Sequence, residues 1–284
     1  MPRSLRCIWF ERSFIPEYVS SSARTVSPGF AVTATALAVV VFLQIPVIVV
    51  VLAAFSTTSY LTIPPRGLTL AWFGKVLTDP TYLAAIRMSL MLACGSTVIS
   101  LVLGVAAAYA LFRKALPGSE AITSVLMAPL ILPAVVIGVA LLQYYSLTGL
   151  RGSLFGLLMA HVVITVPYIV RSALASLAGL DLAVEEAARV LGANGFDAFR
   201  LVTLPLTQPG LVAGALFAFI TSLDNVPVTI FLIGANQTTL PVLIFSSVEM
   251  GIDPSVAAVS TLLIVATGII LLIAERGAGF HRFV

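Results

Sequence analysis

Residues 186–205 read Glu-Ala-Ala-Arg-Val-Leu-Gly-Ala-Asn-Gly-Phe-Asp-Ala-Phe-Arg-Leu-Val-Thr-Leu-Pro, a polar island between long apolar stretches. The stretches on either side decide the fold class. Of 284 residues, 60% are hydrophobic and only 10% are charged, and the mean hydropathy is +1.11. Soluble chains carry roughly a quarter charged residues. The chain therefore reads as an all-α integral membrane protein, and the island as a loop that leaves the membrane.

Crossing ~30 Å of hydrocarbon takes about 20 mostly apolar helical residues. Six stretches meet that test: 30–55, 88–112, 122–145, 154–176, 209–233 and 255–274. Six transmembrane helices place both termini on one side. With the N-terminus in the cytoplasm, only Arg66, Lys75, Arg87 and Arg151 of the 15 basic residues fall outside, the asymmetry that orients membrane helices. The expected organisation is a cytoplasmic tail over 1–29, a transmembrane domain over 30–274 whose long cytoplasmic loop includes 181–205, and a second cytoplasmic tail over 275–284. The first apolar run follows Arg3, Arg6, Arg12 and Arg24 and is as long as a span, so it reads as an uncleaved first helix. The net charge of +3 reports cytoplasmic loops rather than nucleic-acid binding.

The connections differ in kind. Residues 56–87 carry a Pro64-Pro65 break with Tyr60, Trp72, Phe73 and Tyr82, a composition suited to an interfacial cover. Pro46, Pro129, Pro133, Pro167 and Pro227 fall within the expected spans. They fit either a bent, cavity-lining bundle or the ordinary proline content of membrane helices.

Within the island, Asp181 can cap a helix over 182–191 with Glu185 and Glu186 near its positive end. Gly192 stops that helix, and Asn194 opens a second one with Asp197 three residues on. Leu204 precedes Pro205 and is expected to leave the helical region, ending the second helix near Thr203. Ala187, Ala188 and Leu191 can share one face, and Phe196, Phe199 and Val202 another. Such a pair can rest on its own bundle or present its faces to a partner.

The spacing Glu186-Ala187-Ala188, three residues, Gly192, nine residues, Val202-Thr203-Leu204-Pro205 resembles the EAA loop of ATP-binding-cassette importer permeases, with Val202 for Ile as the one departure. The resemblance implies a type I importer bundle whose loop forms a coupling helix seated on an ATPase subunit. Glu186, with Ala187 and Ala188, would meet the ATPase, Gly192 would turn the chain, and Val202, Leu204 and Pro205 would tie the helix to the fifth span. Arg189 and Arg200 are candidate ion-pair partners of the ATPase, although exposed pairs contribute only about 0–1 kcal/mol. Two ABC ATPase subunits, a second permease subunit and an extracytoplasmic solute-binding protein are implied as partners, within the lipid of a bacterial inner membrane.

Asp224 falls inside the expected fifth span, between Ser222 and Asn225 and ahead of Pro227. A carboxylate in mid-bilayer costs about 2.5–3.5 kcal/mol on insertion scales, so it should face the bundle interior or a water-filled path. It can line that path, or accept hydrogen bonds from Thr221 or Ser222. The run 222–232, Thr239-Leu240-Pro241-Val242, Asp253-Pro254 and Ala257-Ala258-Val259-Ser260-Thr261, with the region from Tyr60 to Pro65, are similar to the spermidine/putrescine branch of these permeases. That similarity implies a cationic polyamine, with Asp224 as its counter-charge and Asn225 and Ser222 beside the path. The branch often carries a second acid or an aromatic where this chain has Asn225 and Val226.

Other chemistry is not indicated. His161 is alone in the fourth span and His281 lies in the tail, Cys7 and Cys94 are far apart in sequence, and no phosphate-cradling loop occurs. No cofactor, metal or catalytic residue is expected, and ATP hydrolysis would belong to the partner. His161 reads as a hydrogen-bonded packing residue. The competing class is a self-contained channel or ion-driven carrier that uses Asp224.

Overall fold

The structure, a computed structural model, describes residues 29–58, 65–114, 117–235, 237–250 and 254–278. Most of both expected tails, with Cys7 and His281, and Tyr60, Pro64 and Asp253 lie outside the described residues. Helix α1 is Phe30–Ala54. Compactness divides the chain inside α1, between Val47 and Ile48, and the packing below is that of the part from Ile48 onward.

After α1 come α2 (Ala71–Thr78), α3 (Pro80–Phe112), α4 (Ser119–Ile131), α5 (Ala134–Thr148) and α6 (Leu154–Ala178). They are followed by α7 (Leu182–Val190), α8 (Gly195–Ala198), a π-turn (Phe199–Thr203), α9 (Leu204–Leu223), α10 (Thr229–Leu232), α11 (Leu240–Met250) and α12 (Pro254–Ala278). Five helical stretches among the described residues are long and apolar enough to cross a membrane, and the α4–α5 pair adds a sixth if it is counted as one bent span.

Four details depart from a row of simple spans. Helix α3 starts at Pro80 rather than near 88, because Asp79 caps it by accepting from the Thr81 backbone N–H and Pro80 takes the first turn. The expected third span, 122–145, is broken by a bend of 106°. Leu132 is extended there, at φ −74° and ψ 141°, as a residue before proline prefers. The fifth span ends at Leu223, ten residues before the expected 233. Finally, α2 is more than a surface cover: Val76 is fully buried in a cluster with Ala54, Tyr82, Ala85, Leu240 and Ala258, and Trp72 donates Nε1–H to the Ser56 carbonyl at 2.8 Å.

The centre of the fold is α3, α6 and α9, which pack most extensively on one another. Lipid offers little hydrophobic drive for helix association, so close backbone approach through small residues has to supply the contact. Gly104 of α3 meets the Ile169 side chain of α6 so closely that an added Cβ would lie 2.7 Å from its Cβ. Gly214 and Gly210 of α9 face Ser172 and Ser176 of α6, and Ser172 Oγ donates to the Gly210 carbonyl at 2.7 Å.

Gly104→Ala is therefore expected to destabilise the purified protein by about 1–3 kcal/mol, the usual cost of overpacking. Ile169→Ala in the same chain should recover a large part of the loss. Thermal denaturation in detergent of the single and double variants checks both statements; additive losses would contradict the contact.

Candidate functional site

The loop between α6 and α9 is built from local capping. Asp181 accepts from the Ala183 backbone N–H at 2.9 Å and starts α7. Gly192, at φ +100°, turns the chain in a backbone region that disfavours other residues. Asn194 then accepts from the N–H groups of Phe196 and Asp197 at 3.0 and 2.9 Å. Up to this point the expected helix-turn-helix forms.

Beyond it the expectation fails at Leu204. Leu204 is helical, at φ −61° and ψ −47°, and its N–H bonds the Phe199 carbonyl five residues back. The second helix therefore runs through the wide turn of 199–203 directly into α9, with Pro205 in the first turn of α9. A π-turn gives the proline ring room against the preceding carbonyls, so no break is needed.

Glu186, Ala187, Gly192 and Pro205 are exposed, Ala188, Val202 and Leu204 half-buried. The two expected apolar faces do not stay whole. Phe199 turns in against Tyr109, ring centroids 4.7 Å apart, while Phe196, Val190 and Leu191 remain exposed at 68%, 87% and 88%.

The residue with the strongest local chemistry is Glu185, which the sequence did not single out. Its side chain is fully buried and is the one buried residue of α7. Oε1 accepts from Tyr109 OH at 3.0 Å, from Arg113 Nη2 and from Arg189 Nη2 at 3.2 Å, while Oε2 accepts from Thr203 Oγ1 at 3.0 Å. Burial pushes the carboxyl up, but the bonds from Thr203, Tyr109 and Arg113 and the charge of Arg113 outweigh it and hold it below the ordinary carboxylate range. Arg113, bonded to Tyr109 and Glu185, is correspondingly raised. Arg189, expected to face a partner, bonds inward to Glu185 four residues earlier. The i, i+4 spacing of Glu185 and Arg189 was the available signal; Arg113, 72 residues away, gave none.

The intramembrane polar residues sit at a break rather than inside a helix. Asp224 is the C-terminal cap of α9, exposed, and among the described residues its side chain makes no hydrogen bond, including none to Thr221 or Ser222. Asn225 Oδ1 accepts from the Val228 and Thr229 N–H groups at 3.0 and 3.3 Å and from Thr229 Oγ1 at 3.3 Å, which starts α10. Ser222 is buried. Its hydroxyl accepts from Ser96 Oγ at 2.9 Å and lies 2.7 Å from His161 Nδ1, while His161 Nε2 lies 3.1 Å from Thr229 Oγ1.

The directions of these bonds follow from their ends. Asn225 Oδ1 can only accept, so Thr229 donates to it and itself accepts from His161 Nε2–H. Nδ1 then accepts from Ser222, which accepts from Ser96. This single chain assigns the Nε2–H tautomer to His161 and makes it a staple between α9 and α10, in keeping with its reading as a packing residue.

A multi-span helical bundle with a capped, partly exposed loop of this geometry has counterparts of known class. Residues 100–276 match the family described as binding-protein-dependent transport system inner membrane component. The chain belongs to that family and is a multi-pass inner-membrane transport subunit of the ATP-binding-cassette importer type. It is 34% identical to the putrescine transport system permease protein PotI of Escherichia coli K12 over 82% of this chain and 85% of that one. It is 30% identical to the spermidine/putrescine permease PotC of the same organism, over 84% and 90%, and 33% identical to a probable molybdenum ABC transporter permease of Haloferax volcanii, over 71% and 78%. Among solved structures, a bacterial ABC transporter that imports alginate shares the fold at a TM-score of 0.64 and 18% identity, over 87% of this chain and 95% of that one. The MetNI methionine transporter does so at 0.56 and 21%, over 71% and 97%.

Because the folded-state value of Glu185 is depressed, its contribution to stability is complete above the ordinary value of 4.5 and is lost as pH falls through the lower folded value. The melting-temperature gap between the wild type and Glu185→Gln should hold from neutral pH to the upper edge of the carboxylate range and close on further acidification. Differential scanning fluorimetry across pH reads this directly.

Proposed function

We propose that this chain is the translocating subunit of an ATP-driven importer for a small organic cation of the polyamine class, with the solute passing Asp224 and with Glu186, Ala187, Ala188, Gly192, Val202, Leu204 and Pro205 forming the ATPase-coupling element. Two ATPase subunits, a second permease subunit and an extracytoplasmic binding protein complete the assembly, and both termini lie in the cytoplasm. ATPase closure moves the coupling loop and switches the bundle between inward- and outward-open states.

The observation that carries the cargo reading is the exposed, unbonded Asp224 carboxylate at the C-terminal end of α9. The last carbonyls of a helix carry partial negative charge, so helix end and carboxylate act together on a cation. The similarity to putrescine and spermidine/putrescine permeases supports the same choice. A second reading, transport of an oxyanion, is favoured by the similarity to a probable molybdenum permease. Asp224 opposes it, because like charge at that point repels the cargo.

Uptake of labelled putrescine, spermidine and molybdate into proteoliposomes holding the complete importer separates the two. Putrescine or spermidine uptake that falls about tenfold or more in Asp224→Asn, as loss of a desolvated charge contact implies, supports the first reading. Molybdate uptake insensitive to Asp224 would establish the second. Gly192→Leu is expected to leave the bundle folded and ATP hydrolysis running while uptake falls; normal uptake in that variant would remove the loop from the coupling role.

A further inference from the structure

We propose that Glu185 is the positioning residue through which the coupling helix drives α3, a span distant in sequence, and not α9 alone. The inference rests on the reading of 186–205 as the ATPase-coupling element.

Helix α7 has no apolar root. Glu185 is its one buried residue, while Leu182, Val184, Val190 and Leu191 are exposed. The apolar contact of the loop with α3 comes after α7: an open groove of about 650 Å³ lined by Leu101, Val105, Tyr109, Phe196, Phe199 and Leu204 includes no residue of α7. Apolar contact is non-directional and would let a helix slide over its neighbour. A carboxylate gripped by donors is fixed in register, because charge-assisted hydrogen bonds hold both distance and direction.

The donors come from separate elements. Tyr109 lies in the last turn of α3 and Arg113 caps it, Arg189 belongs to α7 itself, and Thr203 ends the π-turn that leads into α9. Displacing α7 therefore pulls on the end of α3 and on the start of α9 through one side chain. Both helices reach the intramembrane network, α3 by Ser96 and α9 by Ser222, which are bonded to each other at 2.9 Å. The adjacent acids divide the work: Glu186 faces out toward the ATPase, and Glu185 faces in and carries its motion.

The test uses the complete importer in nanodiscs and proteoliposomes, with Glu185→Gln, Tyr109→Phe and Thr203→Val. ATPase retention on the wild-type membrane complex reports the underlying coupling reading; a wild type that retains none overturns that reading and the joint with it. With retention normal, solute moved per ATP is expected to fall about tenfold in Glu185→Gln and about threefold in Tyr109→Phe, from the loss of a charged and of a single hydrogen bond. Spin labels at Lys114→Cys and Val190→Cys should keep one separation with and without ATP in the otherwise wild-type complex and change with ATP in Glu185→Gln. Normal ATPase retention with an unchanged transport-to-ATP ratio in both Glu185→Gln and Tyr109→Phe overturns the joint while leaving ATPase docking intact. Should Glu185→Gln fail to assemble, Tyr109→Phe and Thr203→Val decide by the same ratio.

Discussion

Inside hydrocarbon, every backbone N–H and C=O must find its partner within the protein, and wherever a helix is interrupted that demand has to be met by other groups. Among the described residues, three irregular places, two within the apolar stretches and one in the polar loop, meet the same backbone demand differently. At 132–133, Leu132 is extended before a proline that has no N–H to leave unpaired. At 199–203, the ladder shifts to bonds five residues long, as from Leu204 N–H to the Phe199 carbonyl. At 224–228, the Asn225 side chain supplies the acceptor that the first N–H groups of α10 require. Next to that last break, Ser96, Ser222, His161, Thr229 and Asn225 form one connected polar chain.

The packing of α3, α6 and α9 makes those interruptions tolerable. Glycines at 104, 210 and 214 bring the three backbones close, and the short reach that results lets serine hydroxyls bridge helices directly. Ser100 Oγ and Thr165 Oγ1 are 2.7 Å apart, one turn from the Ser96–Ser222–His161 chain. A Cβ at any of these glycines would come within 3 Å of an α6 side chain, so the helices or those side chains would have to shift. Close packing and the buried polar chain are thus one constraint seen from two sides, and both serve to hold α9 and α10 in fixed relation across the break that presents Asp224.

Much of this was legible in the sequence because it is local. Apolar runs of membrane length, Asp181 and Asn194 as caps and Gly192 as a turn all act within a few residues. What was not legible depends on distant partners. Leu204 before Pro205 carries a preference for extended backbone, but the π-turn and the tertiary hold of Thr203 on Glu185 override it. Hydropathy places Asp224 within a span because it does not register where a helix stops, and Val226 and Val228 keep the run apolar through the break. Glu185 reads in sequence only as an acid near the start of a helix, because its main counter-charge, Arg113, lies 72 residues away.

The placement of Glu185 also explains why a short helix can stand so exposed and still be a fixed part of the fold. A buried carboxylate is costly unless it is paired and every acceptor site is used. Here two guanidinium groups, a phenol and a hydroxyl meet that requirement, and removing any one partner leaves the charge less well compensated. The cluster contributes little against an apolar packing of equal volume, since desolvation offsets most of the attraction. Its value lies in specificity of position. An apolar α7 could settle in several registers against α3, whereas the end of α3 and the start of α9 together offer one place where this carboxylate is satisfied. A helix held in that way can expose its remaining faces, Glu186 included, to another subunit without losing its own alignment.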